Sequence, residues 1–149
     1  MARATKAEID ALSHAGFEYY QSGRHKEAVQ QYSNIIRLRP NYAYFQRGIN
    51  HFKLGRYSEA VMDCQAAANI VNNNHPNNIP DFINVIEQYY DEYSSLWFEL
   101  DFVYIVLGHA LFALKKYRQA INAWEHSIEL HPINEFDLRE KLEEARNKC

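Results

Sequence analysis

Seven histidines and two cysteines are the residues of this chain with the widest reach in chemistry. Imidazole works as a metal ligand or as a general base near neutral pH, but either role needs partners at set spacings. His14, His51 and His109 fall within helical patterns, out of register with one another. His75, His126 and His131 are expected at the surface. No H-E-x-x-H pair, C-x-x-C pair or His/Cys cluster occurs, so no metal site is expected. A Gly-rich phosphate loop and a G-x-S-x-G elbow are also missing, and nothing in the sequence brings Ser, His and Asp together. The chain is therefore expected to be no enzyme and to use no cofactor. Cys64 falls at an apolar core position, where a free thiol behaves as a small hydrophobe. With only Cys149 besides it, there is no disulfide framework, and a reducing, cytoplasmic location is expected.

What remains for function is surface. Apolar residues make up 47% of 149 and aromatics 14%, with 11 Tyr, enough for a packed core in one domain. The formal net charge of −3 predicts no general affinity for nucleic acid. The start, MARATKAEID, has no apolar run of the kind a signal peptide needs. The most apolar stretch, Phe102–Leu114, is too short to span a bilayer, so no membrane partner is expected.

The elements that must carry this surface repeat. Residues Asn41–Ile70 read as two amphipathic helical patterns joined by a short basic turn, LGRY. Gly48 in the first pattern precedes Ala60 in the second by twelve residues, and Gly16/Ala28 and Gly108/Ala120 repeat that spacing. Leu12, Ala15, Gly16, Tyr19, Ala28, Tyr32 and Pro40 form one copy of a longer pattern. Tyr44, Arg47, Gly48, His51, Ala60 and Cys64 form a second, with Asn72 in place of Pro. Tyr104, Leu107, Gly108, Leu111, Ala120, Trp124 and Pro132 form a third. The small residues let two helices approach closely, larger neighbours interlock around them, and Pro ends the second helix.

These residues resemble the tetratricopeptide repeat (TPR) family, a helix–turn–helix of about 34 residues. The resemblance implies an all-α solenoid, a right-handed superhelix of helical hairpins with a C-terminal capping helix. It would form a single domain over 1–149, with repeats at about 9–40, 41–72 and 101–132. The second and third copies are 60 residues apart, so residues 73–100 are an insertion. It opens on NNNHPNNIP, which reads as a loop from Asn72 to Pro80. From Pro80 to Leu114 the apolar spacing predicts one long helix, or two jointed at Ser94-Ser95. Glu87, Asp91, Glu92 and Glu99 mark an acidic docking face on it, or else a solvated one. Residues 135–148 read as the capping helix, with Leu138, Leu142 and Ala145 on one stripe.

In TPR proteins the first helices line a concave groove. The resemblance places Phe17, Tyr20, Tyr42, Phe45, Ile49, Phe52, Ile105, His109 and Phe112 there, with Ser13, Gln21, Lys53 and Phe102 beside them. So apolar a groove is expected either to be filled from within or to anchor a helix or extended peptide of another protein, as an adaptor, scaffold or chaperone would. Two alternatives are a homo-oligomer using the groove or insert, and a small-GTPase-binding domain similar to that of the NADPH oxidase activator, to which AYFQRG at Ala43–Gly48 and the insertion point. Three-repeat chaperones of bacterial secretion systems are similar in architecture. The turns carry Arg24, His25, Lys26, Lys53, Arg56, Lys115, Lys116 and Arg118, a basic ridge suited to an acidic surface. The TPR co-chaperones that grip the acidic C-terminal tail of Hsp70 or Hsp90 use Lys, Asn and Arg at positions that here are Ser13, Phe17, Gln46, Phe102 and Val106. On that comparison the Hsp70/Hsp90 tails are expected not to be partners.

Overall fold

The first helix opens on a side-chain N-cap: the Thr5 hydroxyl accepts from the Glu8 amide at 3.1 Å and donates to the Glu8 carboxylate at 3.2 Å. The computed structural model describes residues 5–39, 42–74 and 99–149. Among these the helices are α1 (Lys6–Gln21), α2 (His25–Leu38), α3 (Tyr44–Lys53), α4 (Tyr57–Asn74), α5 (Leu100–Ala113), α6 (Tyr117–Leu130) and α7 (Asn134–Asn147). No strand occurs among the described residues. α1 packs on α2, α3 on α4 and α5 on α6; α2 meets α3, α4 meets α5, and α7 covers α6. α4 meets α5 directly although residues 75–98 lie between them in sequence, so the insertion does not interrupt the stack.

The three hairpin turns share one device. After α1 the Arg24 amide reaches back to the Tyr19 carbonyl at 2.8 Å and the Gly23 amide to Tyr20 at 3.2 Å. Arg56 to His51 and Gly55 to Phe52 repeat this after α3, and Lys116 to Leu111 and Lys115 to Phe112 after α5. This is the Schellman closure, which satisfies the last carbonyls of a helix and needs a left-handed residue in the middle. Gly23 and Gly55 supply it at φ 79° and 77°; in the third turn Lys115 does so at φ 63°.

Close approach inside each hairpin is set by the Gly of one helix and a residue of the next. A Cβ on Gly16 would stand 2.8 Å from the Tyr32 ring, and one on Gly108 would enter the Trp124 indole. Tyr32 and Trp124 are buried, and the indole N–H donates to the Ile105 carbonyl at 3.3 Å. The middle hairpin has Cys64 where the others have a ring. There a Cβ on Gly48 would meet Asp63 Cβ at 3.0 Å and Cys64 Sγ at 3.4 Å.

Two expectations about the insertion are corrected. Asn72–Asn74 continue α4 rather than opening a loop. Asn costs a helix at most roughly 0.7 kcal/mol per residue relative to Ala, too little to stop a helix already packed on both sides. A single helix from Pro80 to Leu114 does not form either. Glu99 is extended, at φ −97° and ψ 134°, and α5 starts at Leu100. Apolar spacing runs past such an extended residue without registering it. Glu99 and Asp101 put negative charge at the new N-terminus, where the helix dipole favours it. The joint at Ser94-Ser95 and the rest of the inserted stretch, with Glu87, Asp91 and Glu92, lie outside the described residues.

Among the described residues the buried apolar side chains form two clusters. Ile9, Ala28, Tyr32, Ile35 and Ala43 make a small one under the first hairpin. The larger runs without interruption from Phe45 through Trp124 to Leu138, Leu142 and Ala145 of α7.

Candidate protein-interaction groove

The residues singled out by register lie on α1, α3 and α5, with Tyr42 just ahead of α3, and they meet four different environments. Phe45 is buried and meets the Phe102 ring edge-on at 5.8 Å, so it supports the groove from below rather than lining it. Tyr20 and Tyr42 pack against the small first cluster. Ile49, Phe52, Ile105 and Phe112 are half-buried at the margin of the large cluster. Phe17 and Phe102 stand out, 45% and 48% exposed. Glu99 is exposed at the mouth of α5.

A pocket forms where α3 and α5 end. Phe52, Tyr57, His109, Phe112, Ala113 and Lys141 enclose about 310 Å³. The Phe52 ring lies 5.6 Å from Tyr57 and 6.3 Å from His109, while Phe112 lies 5.3 Å from Tyr117 and 5.8 Å from Trp124. Lys141 reaches in from α7, its Nζ 5.2 Å from the Phe112 ring centre. Burial, and secondarily the Lys141 charge, hold the His109 imidazole below its ordinary pKa, so this wall is neutral at physiological pH.

Beside the groove, Arg47 grips Asp63 through two hydrogen bonds of 2.8 Å and also donates to Ser33 Oγ of α2 at 3.3 Å. This explains the AYFQRG stretch structurally: Ala43, Phe45 and Gly48 are buried and Arg47 ties the first two hairpins together. The Asp63 hydrogen bond raises the Arg47 pKa further, and burial lowers that of His51, 3.9 Å from Asp63. Burial also pushes the Cys64 thiol up to about 12, which leaves it a packing group rather than a nucleophile. Among the described residues no three of His, Cys, Asp and Glu converge as metal ligands, and no helix is long and apolar enough to cross a membrane.

Two groove residues escaped the sequence reading. Tyr57 begins α4, and register analysis of first helices passes over it. Lys141 had a usable signal. If Ile133 starts a further half-repeat, Lys141 takes its ninth position, as Phe17, Ile49 and His109 do in theirs.

The tetratricopeptide repeat model matches residues 9–42 and 103–134. No curated protein sequence matches the chain. Solved structures resemble it over nearly its whole length. The first TPR of Spaghetti (RPAP3), bound to HSP90 peptide SRMEEVD, is 21% identical at a TM-score of 0.69, covering 99% of this chain and 97% of that one. The Sgt2 TPR domain from Aspergillus fumigatus is 19% identical at 0.60, covering 95% and 78%. The TPR2B domain of yeast Sti1 in its pHsp70 complex is 19% identical at 0.57, covering 94% of each chain. At these identities the likeness is one of fold, an all-helical TPR solenoid.

These structures overturn the exclusion of the Hsp70 and Hsp90 tails: domains of this fold hold an HSP90 peptide and pHsp70. The exclusion scored Ser13, Phe17, Gln46, Phe102 and Val106, all on first helices. It left out the cation that α7 brings to the pocket at Lys141.

Proposed function

We propose that this chain, with its tetratricopeptide-repeat fold and its match to the repeat model over residues 9–42 and 103–134, acts without catalysis, by holding a peptide or helix of a partner protein along the first-helix face. The TPR fold is a protein-interaction module, which supports the general class of function. The observation that carries the finer reading is the exposure of two rings, Phe17 and Phe102, on first helices, as Phe52, His109 and Phe112 of the pocket also are. Exposed aromatic rings beside an apolar pocket are the usual anchors of a partner segment. Phe45, Ile49 and Ile105 serve as the floor. Acidic peptides of the kind seen on RPAP3 and Sti1 are natural first ligands to assay.

The test uses the full chain with Phe17→Ala and Phe102→Ala, against the peptide SRMEEVD and against proteins captured from native extract. Both residues are exposed enough to be removed without emptying the core. Anchor truncation commonly costs ~2 kcal/mol, roughly thirtyfold in affinity. Full affinity in both variants, with helical signal unchanged, would place the function elsewhere.

A further inference from the structure

α7 ends the stack with a face that a purely solvated cap would not carry. Of the six large hydrophobic residues exposed among the described residues, Leu130, Ile133 and Phe136 come from one short stretch around its start, and Phe136 is the most exposed at 75%. Counted as a further half-repeat from Ile133, Phe136 takes the fourth position and Glu140 the eighth. In the third hairpin those positions hold Tyr104, its ring 4.2 Å from that of His126 of α6, and Gly108, which admits Trp124 of the same helix. Phe136 thus stands where a second helix covers the ring in that hairpin. Glu140 puts a charged side chain where Gly16, Gly48 and Gly108 leave room, so a helix at hairpin distance is shut out. Cover for Phe136 has to come from a looser contact.

The charges around that ring come in a definite order. Glu135, Phe136, Arg139, Glu143 and Arg146 are all exposed, and at about 3.6 residues per turn they form one stripe along α7. Lys141, which lines the pocket of the first-helix groove, is not on that stripe. The Arg139 guanidinium lies 5.7 Å from the centre of the Phe136 ring. Beside the stripe runs a second groove, about 390 Å³, between α6 and α7. It is apolar at Ile128 and Leu142 and rimmed by Glu129, Glu135, Arg139 and Arg146. Arg146 meets Glu125 there at 3.0 Å, an exposed pair that contributes little and is open to exchange.

We propose that this face is a self-association surface, and that its occupant is α7 of a second copy of the chain, lying antiparallel. The stripe is complementary to itself in that direction. A copy turned end for end about the level of Lys141 sets Phe136 against Arg146 and Arg139 against Glu143, and the two-fold axis makes each contact twice. The acidic first turn, with Glu135 and Asp137, then faces the basic last turn at Arg146. A parallel pairing would instead set Arg139 on Arg139 and Glu143 on Glu143. Each Phe136 ring reaches the second copy's groove, where Ile128 and Leu142 give apolar cover and Arg146 a cation. One helix face about 21 Å long is small for an interface, so the dimer is weak, with a dissociation constant of roughly 0.1 mM. The surface lies apart from the first-helix groove and does not rest on the reading of it.

Sedimentation equilibrium of the full chain tests this, with Cys149→Ser throughout so that the exposed thiol cannot cross-link copies. Between about 10 μM and about 1 mM the parent should pass from monomer towards dimer. Phe136→Glu should weaken association about tenfold or more. Arg139→Glu and Glu143→Arg each place two like-charge pairs in the interface, and each should weaken it about tenfold. Mixed in equal amounts, those two variants should recover the parent's affinity as a heterodimer, because every contact between positions 139 and 143 is again of opposite charge. Arg139 and Glu143 are also neighbours one turn apart on α7, but the mixture leaves each helix as altered as it is alone, so recovery reads only the contact between copies. All three changed residues are exposed, and an unchanged helical signal checks the fold. A chain that stays monomeric to about 1 mM overturns the proposal. So does a dimer that survives Phe136→Glu, or a mixture that associates no better than its parts. A dimer kept by Phe136→Glu but lost with Phe17→Ala or Phe102→Ala overturns it too, and puts the second copy in the first-helix groove instead.

Discussion

The first hairpin and the five helices after it are held in different ways. α1 and α2 bury a small cluster of their own around Tyr32, closed by Ala43. α3 to α7 share one continuous apolar core whose centre is Trp124. At the junction, beside the apolar contact of Ala43, stand two polar links: Arg47 to Ser33 at 3.3 Å, and His25 Nδ1 with Asn50 Oδ1 at 2.8 Å. In a stack where each unit touches only its neighbours, stability is a sum of unit and junction terms. The first hairpin then depends on its junction, while the later helices support one another through shared packing.

The sharpest way to break this comparison is to empty the two ring sites. Trp124→Ala removes a fully buried indole and should cost about 3–5 kcal/mol, unfolding α3 to α7 and the hairpin that leans on them. Tyr32→Ala removes a comparable ring from the small cluster. Its expected outcome is local: amide exchange in α1 and α2 rises while α5 to α7 stay protected. If Tyr32→Ala melts the whole chain in one transition, the junction couples the two regions into one cooperative unit.

Next comes the junction itself. Asp63→Asn leaves the Arg47 guanidinium, whose side chain is 24% exposed, without its carboxylate. Removing one member of a buried pair is costly because the other charge stays. Partial exposure of Arg47 moderates this to about 2–3 kcal/mol. Arg47→Met with Asp63→Leu should recover much of that loss. Urea midpoints of the single and double variants give the coupling directly.

How far the sequence revealed all this depended on the kind of interaction. Gly16, Gly48 and Gly108 with their Ala partners disclosed the hairpins, because a missing side chain at a crossing leaves a fixed spacing in the sequence. The stripe Leu138, Leu142 and Ala145 marked a buried face by helical period. Phe45 and Phe52 looked equivalent by register, yet one is buried and the other half-exposed, because the edge-on ring of Phe102 comes from another repeat. Lys141 escaped for the same reason: a helix read as a cap turned out to supply a groove residue. The extended Glu99 ahead of α5 was invisible because apolar spacing does not register a change of backbone conformation. Local chemistry was legible in each case, whereas what crossed between hairpins was not.

A smaller effect follows from pH. Burial lowers the pKa of both His51 and His109 in the fold; Arg47 and Arg56 lower that of His51 further, while Asp63 and Glu59 oppose them. In the unfolded chain each takes up its proton near about pH 6.5. Below that value the unfolded state binds more protons than the folded one, so stability is full above it and declines as pH falls through it. Both residues lie in α3 and α5, so the later helices should lose stability on mild acidification. Chemical denaturation at about pH 7.5 and about pH 5.5 measures this, and His109→Gln should flatten the profile.

The smallest predicted change separates the third turn from the first two. Lys115 sits at φ 63°, where a side chain costs roughly 1–2 kcal/mol that Gly avoids. Lys115→Gly recovers that cost but makes the unfolded chain more flexible by roughly 0.5–1 kcal/mol. It also gives up a cation beyond the C-terminus of α5, worth roughly 0.3–1 kcal/mol to the helix dipole. The terms nearly offset, leaving a net stabilisation of about 0.5 kcal/mol or less. Gly23→Lys at φ 79° runs the comparison backwards and should destabilise by a similar small amount, confined to the first hairpin. Lys115→Gly turning out clearly destabilising would mean that the Lys115 side chain is held by something in the folded chain.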